Sequence, residues 1–253
     1  MFFSFANLWG WSALISWSLL ALGLTPLWLA AGLASGRKLP VTVREGIWIY
    51  GKVYLMLLAP AVKIRAAGSE LTCEHAPAII VANHQSWLDI YLMGTQNKKS
   101  VVLLVKAWPF KRLFFFGPLM RLAGYIATEG RELADIENDC RKAVSEGSSI
   151  ICFPEGTRSN DGSLGRFHSG AFRLALALKL PLIPLCLHGS GKVMPKGSMV
   201  FRPGVIEAEI MPPLNMQKFT DMALPHRAMS RYVRDMFIDR LKELSQKPKG
   251  VST

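Results

Sequence analysis

A histidine can take a proton from an alcohol near neutral pH, and a carboxylate on its second nitrogen fixes the tautomer and steadies the imidazolium. The sequence offers such a pair in Asn83-His84-Gln85-Ser86-Trp87-Leu88-Asp89. This block follows directly on the apolar run Ala78 to Ala82, so His84 is predicted at the carboxyl end of a strand, where α/β proteins commonly place ligands. The spacing constrains the backbone. Five residues of continuous helix turn through about 500°, which would leave the two side chains about 140° apart. They meet only if His84 stands in a strand-to-helix turn and the helix starts after it, with Ser86 as its N-cap. A purely structural histidine is the plainer reading of the block taken alone.

A second block, Phe153-Pro154-Glu155-Gly156-Thr157-Arg158-Ser159, also follows an apolar run, Ser149 to Cys152. Gly156 would let the backbone approach a ligand, Arg158 offers a planar fork of donors suited to a phosphate, and Thr157 and Ser159 add hydroxyls. Taken alone, it also reads as an ordinary polar turn with a surface arginine. Metal chemistry is not expected. Cys73, Cys140, Cys152 and Cys186 are scattered, with no C-x-x-C pair and no histidine at ligand spacing, and read as reduced thiols. Gly189-Ser190-Gly191-Lys192 lacks the first glycine and the final hydroxyl residue of a phosphate-binding P-loop. His168 reads as structural or as lining the groove.

Together the two blocks are far more specific than either alone. An N-H-x4-D block after one strand, followed about 70 residues later by F-P-E-G-T-R-S after another, resembles the lysophospholipid acyltransferases, which include the 1-acylglycerol-3-phosphate acyltransferases. The resemblance covers roughly 76–214. It implies that His84 and Asp89 form the catalytic dyad, that Glu155, Gly156, Thr157 and Arg158 help bind the acceptor's phosphate, and that Lys106 matches a lysine ahead of the second family motif. That motif is typically G-x-x-F-I-D-R, its arginine holding the acceptor phosphate. Here the register gives Gly124-Tyr125-Ile126-Ala127-Thr128-Glu129-Gly130, with glycine at the arginine position and Arg131 beside it. Either Arg131 swings in, or the acceptor is not a simple phosphate monoester. The resemblance implies direct transfer from an acyl thioester, acyl-CoA or acyl carrier protein, to the hydroxyl of a lysophospholipid, without a cofactor.

The elements needed to position these residues are legible as alternating apolar runs and amphipathic stretches. Ala78 to Ala82, Ser100 to Val105, Ser149 to Phe153 and Leu182 to Leu187 read as strands buried on both faces, and Val205 to Met211 as an edge strand. Arg131 to Glu146, Phe167 to Lys179 and His226 to Leu244 read as helices, and Lys247 to Thr253 as a frayed basic tail. The fold class expected is α/β, a mixed, mostly buried sheet flanked by helices, with an N-terminal membrane-associated helical segment. The division expected is 1–64 for the anchor and interfacial helices and 65–253 for the acyltransferase domain.

Met1 to Gly36 holds no Asp, Glu, Lys, Arg or His, and Trp11 to Leu33 is long enough to cross a bilayer core of about 30 Å. Pro26 would allow a kink or a re-entrant hairpin, and Ile47 to Val62 reads as an interfacial helix. Trp9, Trp11, Trp17, Trp28 and Trp48 suit the headgroup level. Arg37, Lys38, Arg44 and Lys52 follow the uncharged stretch, so the positive-inside rule puts the catalytic domain on the cytoplasmic face, here of a bacterial inner membrane.

Half of the residues are hydrophobic, yet the net charge is +12, a combination that favours lipid over nucleic acid, because the basic residues are dispersed and no recognition motif appears. A non-catalytic membrane-surface binder would explain charge and hydrophobicity, but not two catalytic-type blocks each placed after a strand. The basic aromatic run Lys106 to Phe116 suits an anionic bilayer surface, the mouth of an acyl groove, or core packing. The remaining alternative within acyl transfer is a different acceptor, such as a lyso-aminolipid.

Overall fold

The computed structural model describes residues 2–68, 74–95, 100–112, 116–159 and 162–246. Cys73, Leu113, Phe114, Phe115 and the 247–253 tail lie outside the described residues. The chain opens with two long helices, α1 (Phe2–Ala34) and α2 (Leu39–Leu58), then builds a sheet from β1 (Val62–Ala67), β2 (Ile79–Ala82), β3 (Val101–Val105), β4 (Ile126–Ala127), β5 (Ser149–Cys152), β6 (Leu182–His188) and β7 (Gly204–Ile210). The spatial order is β1-β7-β6-β2-β5-β3-β4, with every pairing parallel except β6 with β7. Between the strands lie a 3-10 helix (Trp87–Thr95), α3 (Trp108–Arg112), α4 (Phe116–Leu122), α5 (Leu133–Ser145), α6 (Gly170–Leu178) and α7 (Ser190–Val193). After β7 come a short 3-10 turn (Met216–Phe219) and α8 (Pro225–Gln246). The mixed α/β class and the apolar leading helix agree with the sequence reading.

The central strands are buried on both faces, as their unbroken apolar runs predict. In β2 the side chains alternate between two cores. Ile79 and Val81 join Phe172, Val233 and Phe237 under α5, α6 and α8, while Ile80 and Ala82 join Tyr54, Leu58, Leu88 and Phe201 under α2. On α5, Ile136 and Cys140 face the first core, with Leu133 and Val144 packed beside them.

Two expectations change. Val205 to Met211 does not form an edge: β7 lies between β6 and β1, a strand absent from the sequence reading. The strand Val62–Ala67 escaped notice because its residues are mostly half-exposed or exposed, so it lacks the apolar run that marks the central strands. Pro26 neither breaks nor re-enters; it stands inside one unbroken helix. Four of the tryptophans are bound to backbone carbonyls. The indole N–H groups of Trp9, Trp17 and Trp28 donate to the carbonyls of Leu57, Tyr50 and Thr42 along α2, and that of Trp11 to Met199. An indole N–H in an apolar setting needs an acceptor, and these carbonyls supply it. α1 is therefore fastened along its length to α2, which itself packs on the sheet.

Candidate functional site

Sheet register brings the two sequence blocks together. β2 and β5 are parallel neighbours with Val81 across from Cys152, so the third residue beyond each, His84 and Glu155, emerge side by side. Asn83, fully buried, prolongs the strand pairing with its side chain: its amide donates to the Leu187 carbonyl and its carbonyl accepts from the Leu187 amide, at 2.8 and 2.7 Å. The chain then turns through 83–86 before the 3-10 helix begins at Trp87. This is the turn the spacing of His84 and Asp89 demanded, closed by a tighter helix than the α-helix geometry considered from sequence. Ser86 acts at its start, its Oγ accepting from the Leu88 amide at 3.2 Å while donating to the Met194 carbonyl.

His84 Nδ1 lies 2.8 Å from Asp89 Oδ2. The same oxygen accepts the backbone amides of Gln85 and Ser86 at 2.6 and 2.8 Å, and the Asp89 side chain is fully buried. Asp89 Oδ2 is the acceptor in both amide bonds, so the contact with His84 pairs it with an Nδ1–H and leaves the lone pair on Nε2. Such an imidazole is oriented to accept a proton at Nε2 and, once charged, is stabilised by Asp89.

The second block clamps the first. Phe153 stacks on the His84 ring at 4.1 Å, and the Ser159 amide donates to the His84 carbonyl at 2.9 Å. Glu155 Oε1 accepts the His84 amide at 2.7 Å, and its Oε2 accepts the Gly165 amide at 2.8 Å. Burial raises the Glu155 pKa, and those two amide bonds pull it back. With both oxygens taken by backbone, the geometry gives Glu155 a positioning task rather than the phosphate contact implied by the resemblance. Gly156 has φ +67°, a left-handed conformation that explains the glycine without invoking a ligand.

Arg158 remains turned to the site. Its guanidinium lies over the Trp87 ring at 4.6 Å, and its Nη1 is buried without a hydrogen-bond partner. Burial lowers its pKa, opposed by the charge of Asp89. Thr157 is exposed next to it. Lys106 is exposed at the carboxyl end of β3, the strand beside β5. Arg131 is not brought in: its Nη1 is 2.8 Å from Asp139 Oδ2 beyond edge strand β4, three strands from β2 and so about 14 Å away across the sheet. Sequence reasoning missed Lys196, whose Nζ donates to the Arg158 carbonyl at 2.8 Å, and Trp87 as the platform for Arg158.

An apolar cavity of about 400 Å³ adjoins the dyad turn. Its lining runs from Trp87 and Leu88 past Tyr54, Tyr91 and Leu103 to Met120, Tyr125 and Arg44, with α2 forming one wall. Arg44, 3% exposed, is held at that wall by the Ala123 carbonyl and Glu146. Among the described residues no group of three or more metal-ligating side chains occurs. Cys140, Cys152 and Cys186 are free and buried, in line with the reading as reduced thiols.

Residues 63–188 match the family model described as Acyltransferase. A 1-acyl-sn-glycerol-3-phosphate acyltransferase of Cocos nucifera is 30% identical over 242 residues, 92% of this chain and 72% of that protein. The chloroplastic LPAT1 of Arabidopsis thaliana, also a 1-acyl-sn-glycerol-3-phosphate acyltransferase, is 38% identical over 143 residues, 55% of this chain. The match spans only 40% of LPAT1, and 38% of the Brassica napus relative BAT2. The crystal structure of the 1-acyl-sn-glycerophosphate (LPA) acyltransferase PlsC from Thermotoga maritima superposes with a TM-score of 0.68 at 22% identity, covering 92% of this chain and 98% of PlsC, which shows a shared fold.

Proposed function

From the premise that this chain belongs to the lysophospholipid acyltransferase family, we propose that it moves a fatty acyl group from a thioester to the free hydroxyl of 1-acylglycerol-3-phosphate, giving phosphatidic acid. The observation that carries the reading is the 2.8 Å contact of His84 Nδ1 with buried Asp89, beside an apolar cavity lined by Trp87 and Leu88 of the same turn. The acceptor hydroxyl loses its proton to His84 Nε2 as its oxygen attacks the thioester carbonyl; the C–S bond breaks, and His84 returns the proton to the departing thiolate. No acyl-enzyme forms. The donor, acyl-CoA or acyl carrier protein, lays its chain in the cavity, and Arg158 meets the acceptor phosphate.

α1 sits in the membrane. Because it is fastened along α2, it lies with the domain against one leaflet, its outer face of Leu19, Leu27 and other exposed apolar residues in lipid. The cytoplasmic face of an inner membrane remains our placement, although the cations behind it are partly engaged inside the protein, Arg37 with Glu45 and Arg44 with Glu146.

One observation favours a second acceptor, a lyso-aminolipid or other specialised lipid alcohol: Gly130 stands at the arginine position of the second family motif, and Arg131 is tied to Asp139. Thiol release from a long-chain acyl thioester, measured with lysophosphatidic acid and then with other lysolipids, decides between them. Acceleration specific to lysophosphatidic acid is expected, and His84→Ala should abolish it while the protein stays folded. Turnover by His84→Ala near the wild-type rate would end the mechanism. Acceleration confined to a phosphate-free acceptor would move the reaction to the second reading.

A further inference from the structure

The second motif leaves a phosphate acceptor short of one positive charge. Gly130 has open space around it, and Arg131 is spent on Asp139 at the far edge of the sheet. A phosphomonoester carries close to two negative charges near neutral pH, and Arg158 supplies one positive charge. The compensating group stands in a segment that neither block contains. After β6 the chain crosses α7 and returns over the site, where Met194 accepts the Ser86 hydroxyl at 2.8 Å on the dyad turn. Two residues later Lys196, half-buried, sets its ammonium 2.8 Å from the Arg158 carbonyl and 3.4 Å from the Thr157 hydroxyl. Arg158 is also bound through its neighbour: the Ser159 amide reaches the His84 carbonyl. Among the described residues Lys196 has no carboxylate within ion-pair distance, so its charge is not neutralised by the protein.

We infer that Lys196 is a specificity-determining residue, the second cation of the acceptor-phosphate site, standing in for the arginine absent at Gly130. This rests on the reading of the acceptor as 1-acylglycerol-3-phosphate. An ammonium has three donors; with one on the Arg158 carbonyl and one on Thr157, a third is left for a phosphate oxygen. The unpartnered Arg158 Nη1 offers a donor on the same loop. Two cations held at one loop discriminate a phosphomonoester from a neutral or singly charged headgroup, which one arginine alone does weakly.

Steady-state kinetics on the full chain in detergent micelles test this, varying lysophosphatidic acid and the acyl thioester in turn. Lys196→Ala should raise the KM for lysophosphatidic acid roughly tenfold or more, the usual cost of one charge-assisted contact, and leave the KM for the thioester unchanged. Lys196→Arg should restore most of the loss. A lower kcat with both KM values unmoved is what a merely loosened loop would give, and it overturns the assignment. A wild-type enzyme that does not prefer lysophosphatidic acid to monoacylglycerol overturns the acceptor reading and Lys196 with it. A preference that Lys196→Ala keeps in full overturns Lys196 alone.

Discussion

The α1–α2 hairpin and the carboxyl edge of the sheet hold their positions by different means. Along the hairpin, contact is mostly shape. Gly32 comes so close to Thr42 that an added methyl would fall 2.2 Å from its Cγ2, and Gly10 approaches the Phe201 ring at 2.7 Å in the same sense. A few indole N–H bonds peg the two helices, and the outer face of α1 has Leu8, Leu19 and Leu27 more than half exposed. At the sheet edge, contact is directional. Asp89 Oδ2 takes three donors, Glu155 takes two amides, and the peptide of His84 is held at its amide by Glu155 and at its carbonyl by Ser159. The contrast fits the substrates proposed above. An acyl tail has only volume and length to be read, whereas proton transfer needs a nitrogen placed within a few tenths of an ångström. Damage at the edge should therefore be steep and specific to the chemical step, and damage at the hairpin graded and specific to the chain.

The steepest test separates two residues of one loop. Glu155→Ala should lower kcat about a hundredfold with little change in the KM for the acceptor, because it frees the His84 and Gly165 amides without touching substrate. Arg158→Ala should do the reverse, raising the acceptor KM while kcat changes less. A KM effect from Glu155→Ala equal to that of Arg158→Ala would return Glu155 to the phosphate site and weaken the contrast drawn above.

How far this arrangement is legible in the sequence differs between the two regions. β2 and β5 declare themselves because both faces are buried and every residue is apolar or small. His84 and Asp89 are legible because five residues of chain can close that contact only in a turn. The task of Glu155 is not, because its partners are backbone amides, which any residue supplies, and only the pairing of Val81 with Cys152 sets them opposite. Lys196 is hidden for a similar reason: 38 residues separate it from Arg158, and the return of the chain after β6 brings them together. In the hairpin, hydropathy revealed α1 as an apolar helix of spanning length but not its course along α2, which depends on where three indole rings find carbonyls on that helix. Pro26 misled because a proline inside an otherwise apolar helix removes one bond without ending the helix, provided packing holds both sides.

A gentler perturbation addresses the hairpin side. Met120 lines the cavity together with Leu119, Tyr125 and residues of α2. Met120→Trp should shift the preferred acyl chain to shorter lengths, with the rate on a short-chain thioester kept within a few-fold of wild type. A uniform loss on all chain lengths would mean that the cavity does not hold the acyl chain, and shape would cease to be what the hairpin contributes.

The smallest effect is expected at a residue inside the directional region that takes no part in its chemistry. Cys152 ends β5, directly before Phe153, and its sulfur lies 3.8 Å from the Ile80 carbonyl. A thiol just before the second block would suit an acyl-enzyme, yet burial pushes its pKa up to about 12, as it does for Cys140 and Cys186. With the pKa raised, the neutral thiol is the form present at pH 8, and the thiolate that would attack a thioester is scarce until far more alkaline pH. Cys152→Ala should therefore leave thiol release within about twofold of wild type, and treating the native protein with a maleimide at pH 8 should neither label Cys152 nor slow turnover. Inactivation by the maleimide, protected by acyl thioester and abolished by Cys152→Ala, would establish a covalent route and remove direct transfer through His84.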